Sequence, residues 1–105
     1  MDADLKLALL ELDCASLADA DKSIRVMDAG LRAINTGVKL VGVARTVRCH
    51  EDFLAVIRAL DASQPCDVLI VDTQGSSRAV VGELFSLEAT RRGLAGIIEI
   101  GRAHV

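Results

Sequence analysis

The chain has 105 residues, 51% of them hydrophobic and 26% charged, which is the length of one domain and excludes a disordered tail. Two Phe and no Tyr or Trp make the core aliphatic and remove the stacking platforms that single-stranded nucleic acid uses. Twelve Lys and Arg against fifteen Asp and Glu leave a formal charge of −3, which argues against direct nucleic-acid binding through counterion release.

The N-terminus, Met1-Asp2-Ala3-Asp4, is acidic where a secretory leader is basic. No apolar run approaches the roughly 18–20 residues that span a bilayer. The expectation is a soluble, cytoplasmic protein with no membrane partner. Leu5, Ala8, Leu9 and Leu12 recur at helical spacing and predict an amphipathic first helix, which Asp13 to Asp21 continues or restarts. Cys14, Cys49 and Cys66 form no C-x-x-C pair, and the reading is three reduced thiols buried as small hydrophobes.

Val38 to Cys49 is rich in β-branched residues and reads as a strand, with Val41, Val43 and Val47 on one face. Gly42 within it marks a bulge or a close backbone approach. Glu51 and Asp52 then supply the acidic first turn of a helix whose apolar stripe is Phe53, Ile57 and Leu60. Pro65 breaks the chain before Val68-Leu69-Ile70-Val71, a run suited to a strand buried on both faces. Asp72 to Arg78 is a polar loop. Val80, Leu84 and Leu87, with Val81 and Phe85 beside them, form the next helix, which Gly93 caps. Leu94 to Ile98 is the last strand. The alternation makes the class α/β with a partly parallel sheet.

The loop from Asp72 to Arg78 has the position at which α/β proteins bind ligands, beyond a strand and before a helix start. It lacks the Gly-Lys-Ser/Thr of a P-loop and the G-x-G-x-x-G of a dinucleotide fold. Glu83 at the helix start either compensates the helix dipole or orients a water beside an anion. His50-Glu51-Asp52 reads as a solvated helix start, because three consecutive residues rarely converge on one ion. His104 has no partner in the sequence.

The order of several segments resembles one family. Val26-Met27-Asp28-Ala29-Gly30-Leu31-Arg32, Gly37 to Gly42, and Ala44-Arg45-Thr46-Val47-Arg48-Cys49 carry the resemblance. So do Ala62 to Asp72, Gly82-Glu83, and Arg92-Gly93-Leu94-Ala95-Gly96-Ile97-Ile98. Together they resemble the RraA-like family, which includes ribonuclease regulators and 4-hydroxy-4-methyl-2-oxoglutarate aldolases. Cys66 stands where that family usually has the Gly of a Pro-Gly-Asp turn. The resemblance implies a swivelling β/β/α domain, incomplete at its C-terminal end, and a homotrimer with sites between subunits. It also implies a divalent metal (Mg or Mn) in the full-length parent, holding a 2-oxo acid. By the same resemblance Gly82, Glu83, Leu84 and Phe85 line the substrate site, with Glu83 assisting water and proton transfers.

The family places Arg-Asp twenty-one positions after its acidic residue. Here those positions are His104 and Val105, so the metal-binding Asp is replaced by Val105 and no tight metal binding is expected of this fragment. Resemblance is good through Ile98, and the residues after it depart from the family except at Gly101. Glu99-Ile100-Gly101-Arg102-Ala103-His104-Val105 can be encoded as GAG ATC GGA AGA GCA CAC GTC, which from its second base is the opening of a widely used sequencing adapter. Residues 1–98 are therefore expected to be an RraA-like portion and 99–105 a non-native tail, with the later strands of the domain missing. The parent is expected to cleave 4-hydroxy-2-oxo acids to pyruvate and to decarboxylate oxaloacetate, while this chain is inactive. The alternative is a non-catalytic regulator that binds a ribonuclease. Methyltransferase activity finds no glycine-rich S-adenosylmethionine loop.

Overall fold

The computed structural model describes residues 1–76 and 79–101, in two compact units, Met1–Val41 and Gly42–Val105. The first holds α1 (Ala3–Leu10) and α2 (Cys14–Ala20). Each helix begins at an aspartate that accepts a backbone N–H: Asp2 from Asp4 at 2.9 Å and Asp13 from Ser16 at 2.7 Å. These caps satisfy donors that the helix leaves open. The Asp13–Asp21 stretch thus restarts a helix rather than continuing α1. No residue of this unit is buried. Leu12 lies past the end of α1, and Leu5 and Leu7 are both exposed, so the expected single apolar stripe is not formed.

The second unit alternates β1 (Ala44–Arg48), α3 (Phe53–Ala62), β2 (Val68–Asp72), α4 (Glu83–Arg91) and β3 (Gly96–Ile100). All strands are parallel in the order β1-β2-β3, with Arg48 opposite Asp72 and Asp72 opposite Ile100. The α/β class is as expected from the sequence. Val56 and Leu60 of α3, Leu69 and Val71 of β2, and Phe85 and Ala89 of α4 form one buried cluster. Both helices therefore cover the same face of the sheet. Each fully buried Val or Leu in it contributes about 1.5–3 kcal/mol.

Within the second unit the strands and helices differ from the sequence expectation at several points. The first strand is only Ala44–Arg48, because Gly42 passes so close to the neighbouring turn that a Cβ there would lie 2.3 Å from the Cys66 carbonyl oxygen. The apolar stripe of α3 is Val56 and Leu60, one position round from Phe53 and Ile57, which are 46% and 43% exposed. Asp52 is the cap of α3, accepting from Ala55 N, and Glu51 precedes it at φ 57°. α4 starts at Glu83, and its buried side chains are Phe85 and Ala89, while Leu84 and Leu87 face solvent.

Gly93 ends α4 as expected. It has φ 78°, its N–H donates to Thr90 O, and the Leu94 N–H donates to Ala89 O. This is the Schellman arrangement. Because the Leu94 amide is used by the helix, β3 begins only at Gly96. Of the three cysteines only Cys49 is buried; Cys14 and Cys66 are exposed, against the expectation for both. Cys66 is exposed because it sits at the outer corner of the turn before β2, at φ 70°.

Candidate functional site

β2 ends at Asp72, whose carboxylate accepts the Gln74 N–H at 2.9 Å. Gln74 and Gly75 both have positive φ, which turns the chain back over the sheet end. Thr73, Ser76 and Val80 are buried, so the loop is pinned at intervals before it reaches α4. Ser77 and Arg78 of the predicted polar loop lie outside the described residues.

Gly82 is the residue before α4, in extended conformation, and supplies no side-chain cap. The first bond of the helix runs from Ser86 N–H to Gly82 O at 3.0 Å. The N–H groups of Glu83, Leu84 and Phe85 precede that bond and point out of the helix end. Among the described residues, a Cβ on Gly82 would meet nothing within 4 Å, so the position just ahead of these donors has room for a side chain. Together they form a positive end at which an anion is favourable.

The four sequence-predicted residues are thus consecutive at one helix start, with different surroundings. Gly82, Glu83 and Leu84 are exposed, and Leu84 is 83% so. The Phe85 ring lies in the core, 6.0 Å from that of Phe53. What Phe85 can present is its N–H. Glu83 places its carboxylate in the first turn, where it favours the helix dipole and stands beside the open amides.

Three residues that sequence reading did not single out are buried and polar: Asp67, Thr73 and Ser76. Asp67 accepts from the Gln64 N–H at 2.8 Å and from Arg45 at 3.1 and 3.2 Å. The Gln64 bond, and secondarily Arg45, hold its carboxyl below the usual range against a burial penalty. The Gln64 contact of Asp67 and the Thr73–Ser76 turn are local, whereas the Arg45 partner of Asp67 and the Ile100 partner of Thr73 come from other strands, which no local pattern marks. His50, Glu51 and Asp52 are exposed, as a solvated helix start requires.

Among the described residues no three His, Cys, Asp or Glu side chains converge to hold a cation. This donor set does not fit a divalent metal, and no chemical step is derived through one. Arg102, His104 and Val105 lie outside the described residues. A separate crevice of about 450 Å³ is lined by Thr46, Val47, Arg48, Ile70, Asp72 and Ile100, and includes none of Gly82 to Phe85. Strand alternation puts most of that lining on the sheet face away from the helices. Among the described residues no helix is long and apolar enough to cross a membrane.

A family model described as RraA-like, Aldolase/RraA, matches residues 14–103. A relative from Halalkalibacterium halodurans is 31% identical over 87 residues, covering 81% of this chain and 41% of its own length. One from Cupriavidus necator is 37% identical over 83 residues, covering 78% and 50%. One from Alkalilimnicola ehrlichii is 34% identical over 89 residues, covering 84% and 53%. All three are provisionally named 4-hydroxy-4-methyl-2-oxoglutarate aldolase. The chain spans about half the length of these relatives. A crystal structure from Geobacillus kaustophilus, titled S-adenosylmethionine: 2-dimethylmenaquinone methyltransferase, superposes with a TM-score of 0.76 at 33% identity. It is matched over 86% of this chain and 57% of its own.

Proposed function

Because the chain belongs to the RraA-like family, we propose that its parent protein is an aldolase that cleaves 4-hydroxy-2-oxo acids to pyruvate. The observation that carries this reading is the side-chain-free start of α4 beyond the carboxyl end of β2. There the Glu83, Leu84 and Phe85 N–H groups precede the first bond of the helix and would receive a carboxylate. The names of the relatives support the same substrate class.

In this reading the three amides hold the carboxylate of the 2-oxo acid and fix its orientation. Donors fixed by a helix need no reorganisation as charge develops on the substrate. Glu83, exposed beside them, orients a water that takes the C4 hydroxyl proton as the C3–C4 bond breaks and returns a proton to C3 of the enolate, giving pyruvate and a second carbonyl compound. A parent protein would add a divalent cation, Mg or Mn, as Lewis acid, and would assemble as a trimer acting in the cytoplasm. Oxaloacetate decarboxylation would use the same carboxylate site.

This chain has His104 and Val105 where the family has Arg and Asp. It therefore binds a 2-oxo acid through α4 and turns it over little. Residues 99–105 are proposed to be non-native. The pairing of Glu99 with Val71 and Ile100 with Asp72 is compatible with that, since strand pairing uses the backbone. The locus read through intact genomic DNA decides: the same seven codons there would refute the idea.

The function is tested by pyruvate release from 4-hydroxy-4-methyl-2-oxoglutarate with Mg²⁺. The chain, its Glu83→Ala variant and a His104→Arg/Val105→Asp variant are compared, with pyruvate binding measured in parallel. Pyruvate binding with little turnover is expected of the chain. Failure to bind pyruvate, together with inhibition of a ribonuclease, would replace the aldolase reading with the regulatory one.

A further inference from the structure

α3 and α4 lie side by side on one face of the sheet and run in the same direction. Their starts meet through Phe53 and Phe85, with rings 6.0 Å apart, and their ends through Arg92, which donates to Asp61 at 3.3 Å. Phe53, Ile57 and Asp61 are spaced four apart, so Ile57 lies on the seam between those two contacts. Leu84, Glu88 and Arg92 repeat the spacing on α4, which puts Leu84 on the same seam. Leu54 and Leu87 are turned away from the buried Val56 and Phe85, and are 54% and 60% exposed.

Five large apolar side chains therefore stand together on the outer side of the two helices, all of them exposed. Single exposed leucines are ordinary, but a contiguous group marks a contact surface. The group leaves on the order of 500 Å² of apolar surface in water, which matches the apolar two-thirds of the roughly 800 Å² per partner that a homodimer buries.

Charge around the group is divided by end. Asp52 and Glu83 are exposed at the helix starts, and Arg58 and Arg91 are exposed further along. Each charge suits the dipole of its own helix, but that does not account for the apolar surface between them. Two copies laid helix against helix in opposite directions bring leucine onto leucine at the centre. The acidic starts of each copy then face the arginines of the other. On α4, Leu87 is midway between Glu83 and Arg91, so a two-fold axis through it aligns both charge pairs at once. Laid in the same direction, the copies would set like charge against like.

We propose that the outer face of α3 and α4 is a two-fold contact between copies of this chain. A two-fold contact closes on itself and builds no ring of three, so this surface is additional to the trimer proposed for the parent. It uses neither the open amides of α4 nor the residues after Ile98.

The test is sedimentation equilibrium of the chain at about 100 µM, a concentration that populates a dimer of micromolar Kd. The expected species has twice the 11.1 kDa of one chain. Leu54→Glu and Leu87→Glu should each give the single-chain mass with an unchanged circular dichroism spectrum, since both side chains are exposed. Leu87→Ser replaces the second of these if it does not fold. Arg91→Glu should weaken the dimer about tenfold or more, and Glu83→Arg in the same chain should recover the loss. A single-chain mass for the original chain would overturn the proposal, as would a dimer that survives both leucine variants. A trimer that Leu87→Glu dissociates would overturn the two-fold arrangement, and so would a charge exchange that recovers nothing.

Discussion

Arg45 and Asp67 lie 22 residues apart and meet at 3.1 Å, tying the start of β1 to the turn before β2. Asp67 also accepts the Gln64 N–H within its own turn, and its carbonyl accepts the Ala95 N–H just before β3. One residue therefore connects all three strands at their amino ends. The chemistry proposed for this chain lies at the opposite, carboxyl ends. Stability and ligand contact are separated along the strands.

Asp67→Asn is expected to cost about 1–2 kcal/mol, discounted because the Arg45 side chain is 39% exposed and screened by solvent. The pH dependence follows from a carboxyl held below its ordinary value of 3.8, chiefly by the Gln64 N–H. Stability from this group is fully present above 3.8 and is lost as pH falls through the lower folded value. Urea midpoints between pH 6 and pH 2 should show this acid-side loss, and Asp67→Asn should flatten its part of the curve. By contrast Glu88, pushed down to about 2 by Arg91 and then Arg92, is a surface cluster, and removing it should change the midpoint little.

Cys66→Gly should stabilise the fold. A side chain at φ 70° is strained by about 1–2 kcal/mol relative to glycine. Part of this is offset by the greater freedom of glycine in the unfolded chain. The expected result is a Tm higher by a few degrees in thermal unfolding followed by circular dichroism. A lower Tm would mean that the cysteine's own contacts outweigh the strain.

Gly42→Ala and Gly82→Ala should behave oppositely. At Gly42 the new methyl meets backbone at 2.3 Å, so the strand must shift and about 1–3 kcal/mol is lost. At Gly82 it meets nothing within 4 Å. Gly82→Asp goes further: the carboxylate caps the open amides itself, raising helix stability by a few tenths of a kcal/mol. Pyruvate should then no longer bind. Calorimetric titration of the Gly82→Asp chain checks this, and undiminished affinity would remove the carboxylate from the start of α4.

Thiol labelling should divide the cysteines two to one. Cys14 and Cys66 are exposed, whereas Cys49 is 3% exposed. Burial, with the nearby Asp52, Glu99 and Asp72 charges, pushes its thiol up from the ordinary value. Thiolate is the reactive form, so Cys49 should label only on unfolding. Mass spectrometry after brief alkylation at pH 8 should find two modified sites.

The sequence by itself determined the parts whose physics is local. The aliphatic run Val68 to Val71 reads as a buried strand, Gly93 as the cap that ends a helix, and Gly82-Glu83 falls where a helix starts. The α/β class follows from that alternation. Which side of each helix is buried was decided by tertiary structure. Val56 and Phe85 face the sheet, while Ile57 and Leu84, equally apolar, do not, because sheet placement selects one stripe among several. The same holds for polar partners. Asp67 finds Arg45, and Thr73 finds the end of β3, across distances in sequence that no periodicity encodes. Long-range pairing is set by strand register, and register exists only once the sheet has formed.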